Sequence, residues 1–145
     1  MLKNINEKLE ELKGKETWVR QGFDELVGEL EVVQFKGQLE DEFTLYKELD
    51  KYEELEPQQE DLVGFGWGIY RSEIVPVKCH RNDYKGWVPV KELTADDLAI
   101  KSIRLLVDQL PDFIKKLEEK LDKKNKGAQE VGEKLESILG RLRGE

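Results

Sequence analysis

Among 145 residues there is one cysteine, one histidine, and no apolar run approaching the length of a membrane span. A lone Cys79 cannot close an internal disulfide, so nothing in the chain calls for an oxidising compartment. A structural zinc site takes about four ligands. Cys79 and His80 are adjacent, and adjacent strand residues point to opposite faces, so they suit neither a shared metal nor a nucleophile with its base. Their plain reading is a buried or half-buried thiol at a strand end followed by a solvated turn histidine. The opening MLKNINEKLEEL alternates charge with Leu and Ile and lacks the apolar centre of a signal peptide. No later stretch supplies the ~18 apolar residues of a transmembrane helix. These absences favour a soluble, cytoplasmic, non-enzymatic protein that needs neither metal nor cofactor and does not bind membranes.

Nucleotide and calcium motifs are missing too. Gly64, Gly66 and Gly68 alternate with Phe65, Trp67 and Ile69. That segment lacks the Lys-Ser/Thr of a phosphate loop and does not lead straight into a helix, as a dinucleotide fingerprint must. Glycine on one face of a strand more often marks the close approach of another backbone than a ligand. The acids of residues 40–61 show none of the Asp/Asn alternation and central Gly of a calcium loop. No carboxylate pair stands out as general acid and base, because glutamates at helical spacing are what any solvated helix offers.

What the chain does have is charge: 39% of its residues, beside 38% hydrophobic. An ordinary globular chain carries about a quarter charged residues, and the excess here is of the Glu, Lys and Leu kind found in long helices. From Ile100 onward a seven-residue repeat places Ile100, Val107, Ile114, Leu121, Ala128, Leu135 and Leu142 at one seam position. Ile103, Leu110, Leu117, Lys124, Val131 and Ile138 fill the other, so only Lys124 breaks the seam. A helix that carried it unbroken to Leu142 would run roughly 65 Å.

The apolar stripe changes width along this repeat. Leu98, Leu105, Leu106 and Phe113 broaden it as far as Leu117, which suits burial in a core. From Leu121 it thins to a narrow seam of Leu121, Ala128, Val131, Leu135, Ile138 and Leu142, which suits one partner helix. Pro111 is expected to kink the helix. Lys123 to Gly127 could end it in a hairpin turn, though a continuous or merely kinked helix is favoured.

The N-terminal stretch repeats this logic. Leu2, Leu9, Glu16, Phe23 and Leu30 alternate in steps of three and four with Ile5, Leu12, Val19, Leu26 and Val33. The spacing predicts helix over 1–36, with a break near Gly14 where a short first helix would stop at Lys13. Glu29 to Lys36 is ambiguous, because Val32, Val33 and Phe35 favour a strand. Gly37 terminates either element. Leu39, Phe43, Tyr46, Leu49, Tyr52 and Leu55 then predict an amphipathic helix over 39–55, stopped before Pro57.

Residues 40–61 hold ten acids against Lys47 and Lys51, a net −8 that equals the charge of the whole chain. The plain reading is the wet face of a helix; the functional one is an acidic surface that imitates DNA phosphates. Residues 62–91 are mildly basic and read as three strands, Leu62 to Tyr70, Glu73 to Cys79 and Gly86 to Val90, with turns at 71–72 and 80–85. Trp67, Tyr70, Tyr84 and Trp87 are interleaved with Arg71, Lys78, Arg81 and Lys85. A face of Trp67, Tyr70, Arg71, Arg81, Tyr84 and Trp87 could stack and neutralise a nucleic-acid single strand. Otherwise Trp67 and Trp87 are simply the core of the small sheet.

The fold class that follows is α+β and predominantly helical: one domain over 1–145, with long amphipathic, coiled-coil-like helices at both ends. The helical regions are 1–36 and 94–143, packed antiparallel on each other, with Thr94 as N-cap of the second. The acidic helix and a three-stranded antiparallel insert over 62–90 lie between them. Strands at Glu29 to Lys36 and Phe43 to Lys47 would instead give a five-stranded SH3-like or OB-like barrel. In its order of elements the chain resembles prefoldin-type chaperone subunits, whose coiled-coil arms protrude from a β platform. The resemblance covers that order alone, and the first-arm glycines and Pro111 depart from it. It implies a chaperone that grips unfolded clients. The function favoured from the residues is a non-enzymatic interaction or assembly factor whose seam engages its own copy or a partner helix. The rival is a nucleic-acid-related role, through the aromatic face or by acidic mimicry.

Overall fold

The computed structural model describes residues 1–39, 62–82 and 86–144. The expected acidic helix, past Leu39, and the strand proposed over Phe43 to Lys47 lie outside them. The fold is α+β and predominantly helical, with a three-stranded antiparallel sheet between two long helices. The chain divides into two compact units, Met1–Asp108 and Gln109–Glu145.

In the first unit, helix α1 (Leu2–Leu30) runs without interruption through Gly14, Gly22 and Gly28. The break expected at Gly14 does not occur. Each glycine costs about 1 kcal/mol relative to alanine, and the surrounding Leu, Glu and Lys residues are strong enough helix formers to carry it. The helix stops at Leu30, short of residue 36. Residues 33–35 form neither helix nor strand, and Phe35 N–H donates to Ser72 O at 2.9 Å. The first extra strand of the barrel alternative is therefore absent. Lys36, Gly37 and Leu39 all take left-handed φ, so the chain turns sharply where Gly37 was expected to stop it. Phe35 and Leu39 are buried.

The sheet consists of β1 (Leu62–Tyr70), β2 (Glu73–Asn82) and β3 (Gly86–Glu92), in that order. Arg71 and Ser72 both have positive φ, as a two-residue type I′ hairpin demands. Strand β2 runs three residues past Cys79, so the second connection is shorter than 80–85. A bulge at Lys78/Cys79 shifts its register with β3.

Alternation along β1 produces two unlike faces. Phe65, Trp67 and Ile69 are buried on one. There Trp67 meets Phe23 of α1, ring centroids 5.9 Å apart. On the other face Gly64, Gly66 and Gly68 stand opposite Cys79, Val77 and Val75 of β2, which form a buried cluster with Tyr70 and Trp87 packed against it. Bare backbone on β1 leaves the room that these side chains take.

Thr94 caps only a 3₁₀ turn (Ala95–Asp97), its N–H and hydroxyl both donating to the Asp97 carboxylate. Helix α2 begins later than expected, at Ile100, and runs unbroken to Gly144. Pro111 lies inside it, and Lys123 to Gly127 are helical, so no hairpin forms. Proline removes one hydrogen bond from a ladder of 45 residues, and the lysines and Gly127 retain helical geometry. Ile103, Leu106, Leu110, Phe113 and Leu117 are buried. This 3–4 stripe keeps the seam residues Ile103, Leu110 and Leu117 and adds Leu106 and Phe113, while the other seam line turns outward at Val107, which is 45% exposed. Among the described residues, no helix is long and apolar enough to cross a membrane.

Candidate interaction surface

The narrow seam of α2 is not buried. Val131, Leu135, Ile138 and Leu142 are each more than half exposed, Ala128 is exposed and Leu121 half-buried. Seam residues of α1 behave the same way: Leu2, Ile5, Leu9 and Leu12 are all at least 50% exposed. A heptad seam is apolar because it meets another helix, so each stretch presents an unpartnered helix face. The exposed stretch of α1 was legible as part of a repeat, but its being left bare was not. Trp18, 74% exposed on the same helix, gave no sequence signal.

The α2 face has two different rims. Lys134 and Arg141 precede Leu135 and Leu142 in the repeat and are exposed along one side. Along the other, Asn125, Ala128, Gln129 and Gly132 line a shallow open notch with Glu133 and Glu136. Small residues lower that side, so a bulky side chain from a partner can seat there.

The expected aromatic face is not assembled as such. Trp67 is fully buried and its indole N–H donates to Leu106 O at 2.6 Å, which makes it a core residue with no ring surface to stack on. Its side chain follows Phe65 and Ile69 towards α1, away from Tyr70. Tyr70 and Trp87 are half-buried against Val75, Val77 and Cys79. Arg71 lies over the Tyr70 ring at 5.4 Å and so covers that face itself. Arg81 is exposed, and Tyr84 lies outside the described residues.

Cys79 is fully buried, and desolvation pushes its thiol from 9.0 up to about 12. Next to it His80, registered between Val63 and Val88, has a buried Nε2 without a hydrogen-bond partner. Consecutive strand positions direct the two side chains to opposite faces. No group of three or more His, Cys, Asp or Glu able to hold a metal ion occurs among the described residues.

The raised thiol has a checkable consequence. Below pH 9 the thiol is neutral in folded and unfolded chains alike, and stability is unaffected. Between about pH 9 and 12 only the unfolded chain ionises, which favours unfolding, so stability falls as pH rises through that window. Urea titrations at pH 8 and 10.5 should show this loss in the native chain and a smaller one in Cys79→Ala. At pH 8, thiol reagents should modify Cys79 only as fast as the sheet opens.

No protein-family model, curated protein or solved structure matches this chain.

Proposed function

We propose that this protein is a non-enzymatic interaction or assembly factor that engages α-helices through the bare seam of α2, from Val131 to Leu142. The observation that carries this reading is the exposure of four seam residues that a heptad repeat places in one line. The helix bearing them gains from a partner. A Cβ at Gly127, Gly132 or Gly140 would enter open space, so no packing calls for glycine there, and each weakens the helix by about 1 kcal/mol. A seam covered by a partner offsets that loss, which intrinsic propensity alone does not. The exposed face of α1 extends the same property to the other end of the chain. A prefoldin-like chaperone is a special case, in which these faces grip unfolded segments. A single thiol that needs no oxidising environment fits a cytoplasmic site of action.

Light scattering over a tenfold concentration range, at low and high salt, tests the reading together with binding of designed heptad peptides. Association through the seam, with its own copy or with a peptide, should disappear in Ile138→Glu. A chain that stays monomeric throughout and takes up no seam-bearing peptide would overturn the proposal.

A further inference from the structure

The partner's chemistry can be read from what surrounds the seam, granted that the seam is an interaction face. Helices paired in a coiled coil choose partners by the charges flanking the apolar line. In α2 the rim nearest Leu135 and Leu142 is basic, with Lys134 and Arg141 exposed along it. Lys124, also exposed, stands in the seam itself, where most heptads place an apolar residue. The opposite rim, at Asn125 and Gly132, carries no charge of its own; Glu133 and Glu136 stand beside it at the outer edge of the notch, and Glu130 lies on the far face of the helix. The exposed α1 seam is edged by lysines on both sides, Lys8 and Lys15 on one rim and Lys13 on the other, with Lys15 paired to Glu11 at 3.0 Å on its outer side.

Cations beside the apolar line with acids behind them make self-pairing poor. A second copy laid antiparallel on the α2 seam sets Lys134 and Arg141 against their own counterparts. Laid parallel, it sets them against Leu139 and the uncharged rim. Neither order sets an opposite charge directly against them, and the parallel order also brings the two Lys124 residues together.

We infer that the α2 seam of this protein takes an acidic amphipathic helix: an apolar heptad line flanked by Asp or Glu, with a carboxylate opposite Lys124. The flanking acids meet Lys134 and Arg141, while the notch at Ala128 and Gly132 admits one of the partner's larger seam residues. A basic-rimmed apolar face also suits an anionic bilayer, but surface-lying helices present a wide apolar face. The line from Val131 to Leu142 is narrow, which favours a helix.

Two synthetic peptides with identical Leu/Ile heptad seams, one carrying Glu and the other Lys at every flanking position, serve as probes for the full chain. By fluorescence anisotropy at low salt, the Glu peptide should bind at least about tenfold more tightly than the Lys peptide. Its affinity should fall as salt rises, whereas self-association of the chain should strengthen with salt as like charges are screened. The double substitution Lys134→Glu with Arg141→Glu, on exposed positions and checked for unchanged helicity by circular dichroism, should reverse the preference. Equal binding of the two peptides, or a preference the double substitution leaves in place, overturns the acidic partner but not the interaction function. Uptake by phosphatidylserine vesicles without peptide binding overturns the helix partner. Failure of both peptides in a chain that also stays monomeric overturns the interaction reading beneath it.

Discussion

Trp67→Ala is expected to destabilise the first unit by about 3–5 kcal/mol, enough to leave a domain of this size largely unfolded in mild denaturant. The indole has no exposed surface; it contacts Phe23 of α1 and donates to Leu106 O of α2. One side chain of β1 thus ties the sheet to both helices. Truncation removes the largest fully buried side chain in the described structure and leaves a cavity bordered by three elements. Trp67→Phe separates the two contributions. It keeps most of the apolar contact and loses the indole hydrogen bond, for about 1 kcal/mol beyond the volume change. Urea unfolding followed by circular dichroism reads both. An alanine variant as stable as the native chain would show that Trp67 is not central to the core.

Arg20→Met should cost about 3 kcal/mol, although the position is on a helix surface and keeps an aliphatic stem. The Arg20 guanidinium donates through Nη1 to two backbone carbonyls, Ala95 O and Leu98 O, the latter at 2.7 Å. Ala95 O also accepts from Leu98 N–H in the 3₁₀ turn, at 3.3 Å, whereas Leu98 O lies in the bend before α2 and is not part of that helix. Charged donors make hydrogen bonds about twice as strong as neutral ones, and here one nitrogen serves two acceptors. Loss of the donor strips Leu98 O of a charged partner in a partly buried junction and leaves Ala95 O only its backbone bond from Leu98 N–H. Arg20→Lys should recover only part of the loss, because an ammonium on a more flexible stem does not reproduce the fixed guanidinium fork. Denaturant midpoints of the three chains give the order Arg, Lys, Met; equal midpoints for Lys and Met would refute a role for guanidinium geometry.

Both residues show how far a sequence reading reaches. Trp67 sits in a glycine-alternating strand, and that alternation told which side of β1 is apolar. It did not tell whether the apolar side faced a ligand or the rest of the chain, because a stacking platform and a core strand have the same period. Arg20 gave no signal, since its partners are backbone carbonyls 75 and 78 residues away. The α2 seam was readable as a line of positions, and Lys134 and Arg141 were readable as its flanks once the line was known to be bare. Exposure itself is not written in a repeat.

Local and periodic features were settled by the amino-acid order: two long amphipathic helices, a three-stranded hairpin sheet, the tight Arg71–Ser72 turn and the narrowing of the apolar stripe after Leu117. These follow from side-chain periodicity and backbone freedom within a few residues. Tertiary structure decided the rest. It carried α1 through Gly14 and α2 through Pro111 and Gly127, placed Trp67 inside, and buried Leu106 and Phe113 beside the seam residues Ile103, Leu110 and Leu117 while leaving Val107 outside. It also left Val131 to Leu142 without a cover. Such outcomes depend on which distant surfaces meet, and the energies at stake, about 1 kcal/mol for a glycine in a helix and several for a buried tryptophan, are weighed only once the chain is assembled.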